Sequence, residues 1–191
     1  RQTQLFKVRV VQFGTSTSSV QQVSGMMPKQ GTQTLGIWVA TAAVVVASAL
    51  PPTARTTCSI TDHGASTSSS NNAKAITAAI DECTAAGGGT VAVTGGAYKT
   101  GPLVVAHAEG LTIELMGGDA ALEAAFGPDE WPKIDGSYQD FLVFQNCSNC
   151  GLIGAGAVLG KGGRPPSGFD WYYLFDQKKI KSRPKLVVVQ G

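Results

Sequence analysis

Apolar and polar positions divide the chain into stretches of different period. Residues 1–25 mix Gln, Ser, Thr and Val with no sustained pattern. Leu35 to Leu50 (LGIWVATAAVVVASAL) is an apolar run of 16 residues, preceded by Lys29 and closed by the small-x-small triplet Ala47-Ser48-Ala49. A basic residue, a short apolar run and a small-residue exit describe a secretory signal peptide. The run falls short of the ~20 residues a spanning helix needs. A signal anchor is the alternative; a buried core helix fits less well, because no polar face shows at helical spacing. Met26 or Met27 then marks the start, and 26–49 is the signal peptide. Residues 1–25 are an unstructured upstream leader or a mistranslated segment. Cleavage near Ala49 or Ala54 leaves a chain of about 140 residues.

Past the expected cut the period becomes helical once. Residues 59–72 are rich in Ser, Thr, Asn and Gly and read as a loop. Ala73, Ile76, Ala79, Ile80 and Cys83 then fall on one helical face. Asn71 or Asn72 can cap the start of this helix, and Gly87-Gly88-Gly89 ends it, because glycine enters the left-handed cap conformation freely. From there the pattern is short runs of Val, Leu, Ile and Phe: Thr90–Val93, Leu103–Ala106, Leu111–Leu115, Phe141–Gln145, Gly151–Ile153 and Lys185–Gln190. Gly and Pro punctuate them, as between strands. Strands without intervening helices exclude a doubly wound α/β fold and leave a sandwich, a barrel or a β-solenoid.

Charge and cysteine content sharpen this. Hydrophobic residues are 43% of the chain and charged residues 15%, so a core can form and wholesale disorder is excluded. The formal net charge of +2 gives no reason to expect a nucleic-acid partner. Four of the 15 basic residues (Arg1, Lys7, Arg9, Lys29) precede the cut and all 13 acidic residues follow it, so the mature segment is slightly acidic. Cys58, Cys83, Cys147 and Cys150 also all follow it, and an even count in a secreted chain suggests disulfides, with three pairings open. One has a geometric motive. Cys83 sits on the last turn of the helix and Cys58 in the strand-like run before the loop, so joining them staples helix to strand. Cys147 with Cys150 is then the residual pair. Cys147-Ser-Asn-Cys150 is a single CxxC without the second ligand pair a structural zinc site requires, and no metal or cofactor is expected. Asn146-Cys147-Ser148 is a formal glycosylation sequon.

Residues 58–105, CSITDHGASTSSSNNAKAITAAIDECTAAGGGTVAVTGGAYKTGPLVV, carry a family likeness. Gly64-Ala65, the helix at about 73–86, Gly87–Gly89, the strand Thr90–Val93 and Gly96-Ala-Tyr98-Lys-Thr-Gly101-Pro102-Leu103 occur in the order seen at the opening of glycoside hydrolase family 28. The chain resembles these polygalacturonases and their relatives over roughly residues 56–190. Leu111–Leu115 is similar to the family's next strand. The segment from Gly151 to Gly162 resembles its Gly-x-Gly-x-Ile-Asp-Gly-x-Gly, with Leu159 where Asp is usual. Trp171-Tyr172 resembles its Trp-Trp, and Arg183-Pro184-Lys185-Leu186 its Arg-Pro and following strand. Residues 119–140 match no part of the pattern.

The resemblance implies an all-β fold, a right-handed single-stranded parallel β-helix of the pectin lyase-like type. The helix at about 73–86 would cap its first coils, and residues 55–191 would be its amino-terminal part. It implies a secreted, extracellular or cell-wall protein, monomeric and without stable membrane association once the signal is cut. Its partner would be pectin, with α-1,4-galacturonan hydrolysed by inversion and no cofactor. Inversion needs a carboxylic acid and a water-activating carboxylate about 6.5–9.5 Å apart. The family supplies these from Asn-Thr-Asp, Asp-Asp, Gly-His-Gly and Arg-Ile-Lys motifs in later coils. This chain has no adjacent Asp-Asp and no Gly-His-Gly, and its Lys179-Ile180-Lys181 precedes the Arg-Pro strand, so no catalytic residue is carried over. The 191 residues alone are expected to be inactive and, with an uncapped solenoid end, poorly folded.

Other candidates point the same way. Asp129-Glu130 reads as a solvated loop. Gly156 to Lys161 is one residue short of a phosphate loop, and Gly162 stands where Ser or Thr must be. His63 and His107 have no nucleophile partner and read as loop residues. Trp171 and Tyr172 are the candidate sugar-stacking residues, against ordinary packing. Lys178, Lys179, Lys181, Arg183 and Lys185 suit a polyanion, against a solvated loop. Two other functions stay open: a non-catalytic carbohydrate-binding or wall protein, and a pectate lyase-like relative.

Overall fold

A computed structural model describes residues 11–12, 55–166 and 168–191. The segments expected to be leader and signal peptide lie outside the described residues, save Val11–Gln12. These form a two-residue strand, β1, antiparallel to Gly151-Leu152. Among the described residues the regular structure is mostly strand, in sheets whose longer pairings are parallel.

After β2 (Thr57–Ser59) and α1 (Ala73–Ala85) the chain makes three circuits of the same three sheets. The first is β3 (Gly89–Thr94), β4 (Ala97–Thr100) and β5 (Leu103–Ala106). The second is β6 (Leu111–Met116), β7 (Ala121–Ala124) and β10 (Leu142–Gln145), with a hairpin of β8 (Lys133–Ile134) and β9 (Ser137–Tyr138) inserted after β7. The third is β11 (Gly151–Gly154), β12 (Ala157–Leu159) and β13 (Val187–Gln190), with α2 (Trp171–Asp176) inserted after β12. One sheet therefore runs β1-β11-β6-β3-β2, the second β12-β7-β4 and the third β13-β10-β5.

Register is unbroken between circuits, so like residues stack in rows. Cys58, Val91, Ile113 and Leu152 form one row, and Tyr98, Leu122 and Val158 another. All are buried. Rows of this kind fill the interior because strand side chains alternate in and out with a period of two. In the third sheet Leu103 and Leu142 are buried, but Val187, which continues their row, is exposed; so is Val189, beyond Val105 and Phe144. β13 is the sheet's edge.

α1 covers the other end. Its face of Ile76, Ala79, Ile80 and Cys83 is buried, and it packs on β2, β3 and β5. The Cys58–Cys83 disulfide ties it to β2. The helix ends as glycine dictates. Gly87 takes φ 83°, and the N–H groups of Gly87 and Gly88 donate to Thr84 and Cys83 carbonyls at 3.0 and 2.9 Å. This pair of bonds is the Schellman pattern. At its start Asn72 holds the N-cap position without a side-chain cap bond, and Asn71 supplies one instead, its Oδ1 accepting from Ala73 N–H at 3.0 Å and also from Gly101 N–H at 3.2 Å. Asn72 is buried and joins the 66–72 loop to β4, accepting from Ser66 N–H at 2.8 Å and donating Nδ2 to the carbonyls of Ser66 and Lys99 at 3.0 Å each.

Candidate functional site

The two insertions occupy the same corner of the circuit, between the second and third sheets. In the first circuit that corner is only Gly101-Pro102. In the second it is a hairpin whose turn, Asp135-Gly136, has both residues at positive φ, as a tight antiparallel turn requires. In the third it runs from Gly160 to Leu186 around α2. Aromatic rings lock the two together. Trp171 meets Trp131 edge-on at 5.9 Å and Tyr138 edge-on at 4.9 Å, and Trp131 also lies against Phe141 at 5.9 Å. Trp131 Nε1 donates to the Gln139 carbonyl at 2.7 Å, which satisfies the only polar atom of that buried side chain.

Trp171 is only 4% exposed, with its ring held inside this cluster, whereas Tyr172 is 58% exposed. The two candidate stacking residues are thus separated: Trp171 packs, and Tyr172 faces water. Tyr172 is joined outside by Tyr173 and Phe175, both exposed. The Arg183 guanidinium lies over both Tyr172 and Phe175, at 4.2 and 4.8 Å from the ring centres, and Arg164 lies 4.3 Å over Tyr173. A cation–π contact of this kind holds the Arg183 guanidinium against the rings, and a guanidinium so placed can still present N–H groups to a ligand. Beside them is a shallow depression of ≈ 460 Å³ lined by Phe175, Asp176, Lys178, Ile180 and Lys181. Lys178, Lys179, Lys181 and Lys185 are all exposed, and among the described residues none of their ammonium groups is ion-paired, although the Lys185 backbone N–H donates to Asp140 Oδ1 at 2.7 Å.

Charge is distributed with the same polarity. Residues 55–160 carry 4 basic and 11 acidic groups, a net of −7; residues 161–191 carry 7 basic and 2 acidic, a net of +5. The whole-chain balance hides this division. What the sequence reading treats as a lysine cluster is a cationic insertion on an otherwise acidic body.

The other candidates fall elsewhere. Asp129 and Glu130 are exposed in the turn before Trp131. Lys161 is paired with Glu123 of β7 at 2.7 Å, which gives it a structural partner. His63 Nε2 lies 2.7 Å from Glu82 Oε2 on the exposed side of α1, a contact that no spacing signalled. His107 is exposed in the turn after β5. Cys147 and Cys150 form the second disulfide, in the turn between β10 and β11. Asn146 is exposed at the start of that turn. Among the described residues no three His, Cys, Asp or Glu side chains gather where they could share a metal ion. No helix of the described residues is long and apolar enough to cross a membrane. Two disulfides fit an oxidising, extracellular setting.

No family model and no curated protein matches the chain.

Proposed function

We propose that residues 55–191 are the first coils of a right-handed parallel β-helix of the polygalacturonase type. The protein would be secreted and would act on α-1,4-galacturonan of pectin by inverting hydrolysis. One observation carries this reading: strands recur in a single cyclic order over three sheets, with α1 over the first circuit. The glycines behind the likeness support it. A Cβ on Gly88 or Gly89 would meet the Glu109 or Thr56 carbonyl, and one on Gly154 or Gly156 the Leu115 or Ala120 carbonyl. Backbone packed this closely between circuits demands glycine there. Parallel crossovers within one sheet are right-handed in nearly all proteins, which gives the handedness.

The acid–base pair of such a hydrolysis is assigned to the family motifs that these residues lack. What this chain offers is contact with the polymer. The exposed rings of Tyr172 and Phe175, with Arg183 between them and unpaired lysines around, suit a chain of uronate sugars. Ring faces stack on sugars, and cations meet the carboxylates. The same surface favours a second reading, a non-catalytic polyuronate-binding wall protein.

The reading frame beyond the Gly191 codon separates the two. Continuation into Asn-Thr-Asp, Asp-Asp, Gly-His-Gly and Arg-Ile-Lys is expected for the hydrolase. A frame without them sinks the hydrolase and leaves the binding protein. For either, the purified 191-residue chain should retard in a polygalacturonate affinity gel without releasing reducing ends. Release of reducing ends would place an acid–base pair within these residues and overturn the assignment. Unchanged mobility at low salt would remove the surface from both readings.

A further inference from the structure

Asn146 begins the turn that leaves β10 for β11, at the corner between the third and first sheets. It takes φ 49° and its side chain is exposed. Its backbone is engaged, N–H donating to the Gln190 carbonyl at 2.8 Å, but its amide group makes no contact among the described residues. Ser148 repeats the arrangement. Its N–H donates to Ala108 at 3.0 Å and its carbonyl accepts from Gly110 at 2.8 Å, while its hydroxyl is exposed and without a partner. The acceptor amide and the hydroxyl of an Asn-x-Ser sequon therefore both face solvent on one short turn. It is the sole Asn-x-Ser/Thr of the sequence.

The intervening residue is Cys147, and its disulfide to Cys150 closes a ring across three residues. A glycosyl transferase must draw the acceptor peptide out of its turn into its own site. The open dithiol chain permits that, and the closed ring, with Asn146 and Ser148 backbone bonded to neighbouring circuits, opposes it. We propose that Asn146 is an N-glycan acceptor that is modified before the Cys147–Cys150 ring closes, and that closure shuts the site.

In the transfer Asn146 Nδ2 attacks the anomeric carbon of an oligosaccharide held on a lipid diphosphate. The C–N bond forms, the bond from that carbon to the diphosphate oxygen breaks, the lipid diphosphate leaves with the electron pair, and an amide proton passes to the transferase's base. Ring closure is a separate step. The two thiols give up two electrons and two protons to a protein disulfide, which becomes a dithiol.

The inference rests on the secretory part of the reading above, and one experiment separates the two. The full chain is translated with endoplasmic-reticulum microsomes, and protease protection and glycosidase-sensitive mass are read together. Expected is a protected chain with one glycan increment, absent in Asn146→Gln and in Ser148→Ala. Occupancy should rise severalfold in Cys150→Ser, which leaves the sequon intact. Protected chain with no increment, in the wild type and in Cys150→Ser alike, overturns the site. Equal occupancy in those two chains overturns the ordering. An unprotected chain overturns the secretory reading itself.

Discussion

Asn72 shows how much of this fold one side chain can hold. Its amide uses both ends at once, accepting from the Ser66 backbone and donating to Ser66 and Lys99 carbonyls, while its own N–H bonds Lys99 at 2.7 Å. The residue is 3% exposed, so water cannot replace those partners. Asn72→Ala strands one donor and weakens two carbonyls, each buried group costing about 1–3 kcal/mol if unpaired. A loss of roughly 2–3 kcal/mol in urea unfolding is expected. Asn72→Asp should be no better, because a carboxylate would face the two carbonyls that now receive N–H bonds. Asn71→Ala removes, at an exposed position, the bonds its side chain accepts from Ala73 N–H and from Gly101 N–H at 3.2 Å, and should cost about 1 kcal/mol. An equal loss at both sites would contradict this division of roles. Composition alone could not distinguish the neighbours: Asn at the head of a helix reads as a cap, and only the position of β4 shows that Asn72 is the buried clamp while exposed Asn71 caps α1 and also holds the Gly101 N–H.

At the level of elements, the sequence pattern located strands where Val, Leu, Ile and Phe form short runs and missed them where such a run is lacking. β3, β5, β6, β10, β11 and β13 coincide closely with the Val-, Leu- and Phe-rich runs. All three strands of the second sheet, AYKT, ALEA and AVL, escaped, as segments of three or four residues that alanine, lysine or glutamate interrupts before an apolar run can form. What makes them strands is pairing to the circuits on either side, a tertiary effect invisible along the chain. Tyr98 helps to fix the first of them, since its hydroxyl donates to the Thr94 carbonyl at 2.7 Å across the Gly95-Gly96 turn. The candidate site was legible in part. The cationic residues were visible, but the burial of Trp171 depends on Trp131 and on Tyr138 of a distant hairpin that no motif announced. Hence Trp171→Ala should cost about 3 kcal/mol or more by opening the aromatic cluster. Tyr172→Ala should leave thermal unfolding near that of the parent while weakening polyuronate retention, and matched losses of stability at both positions would undo this separation. The helix staple was legible too, because periodicity put Cys83 on the apolar face of α1. Removing Cys58–Cys83 by paired Ala substitution releases a loop closed at a separation of 25 residues, worth about 3 kcal/mol in the chain-entropy model. Removing Cys147–Cys150, at a separation of 3, should cost clearly less in the same non-reducing unfolding experiment.

Across the whole molecule two asymmetries set its behaviour in solution. The first is between the ends of the stack, one covered by α1 and the other presenting β13 with Val187 and Val189 exposed. In these 191 residues taken by themselves, an apolar edge invites strand pairing, so association of that chain should begin at β13. Val189→Lys should raise the concentration at which light scattering first increases; an unchanged onset would point to another surface. The second asymmetry is electrical. With −7 on residues 55–160 and +5 on 161–191, a polyanion is repelled by most of the body and attracted to the α2 insertion. The attraction acts over about one Debye length, roughly 10 Å at 0.1 M salt, so the exposed lysines dominate at low ionic strength. The Arg183 contacts, made against two rings at 4.2 and 4.8 Å, are screened less. Retention on polygalacturonate should therefore fall steeply with added salt and level off at a residual set by ring and guanidinium contacts. Lys178→Glu with Lys181→Glu should abolish the steep part and spare the residual. Arg183→Ala should lower the residual and spare most of the slope. A flat salt profile in the parent chain would show that the charge division plays no part in binding. Loss of all retention in the Lys178→Glu, Lys181→Glu chain would show that the rings contribute nothing without the field around them.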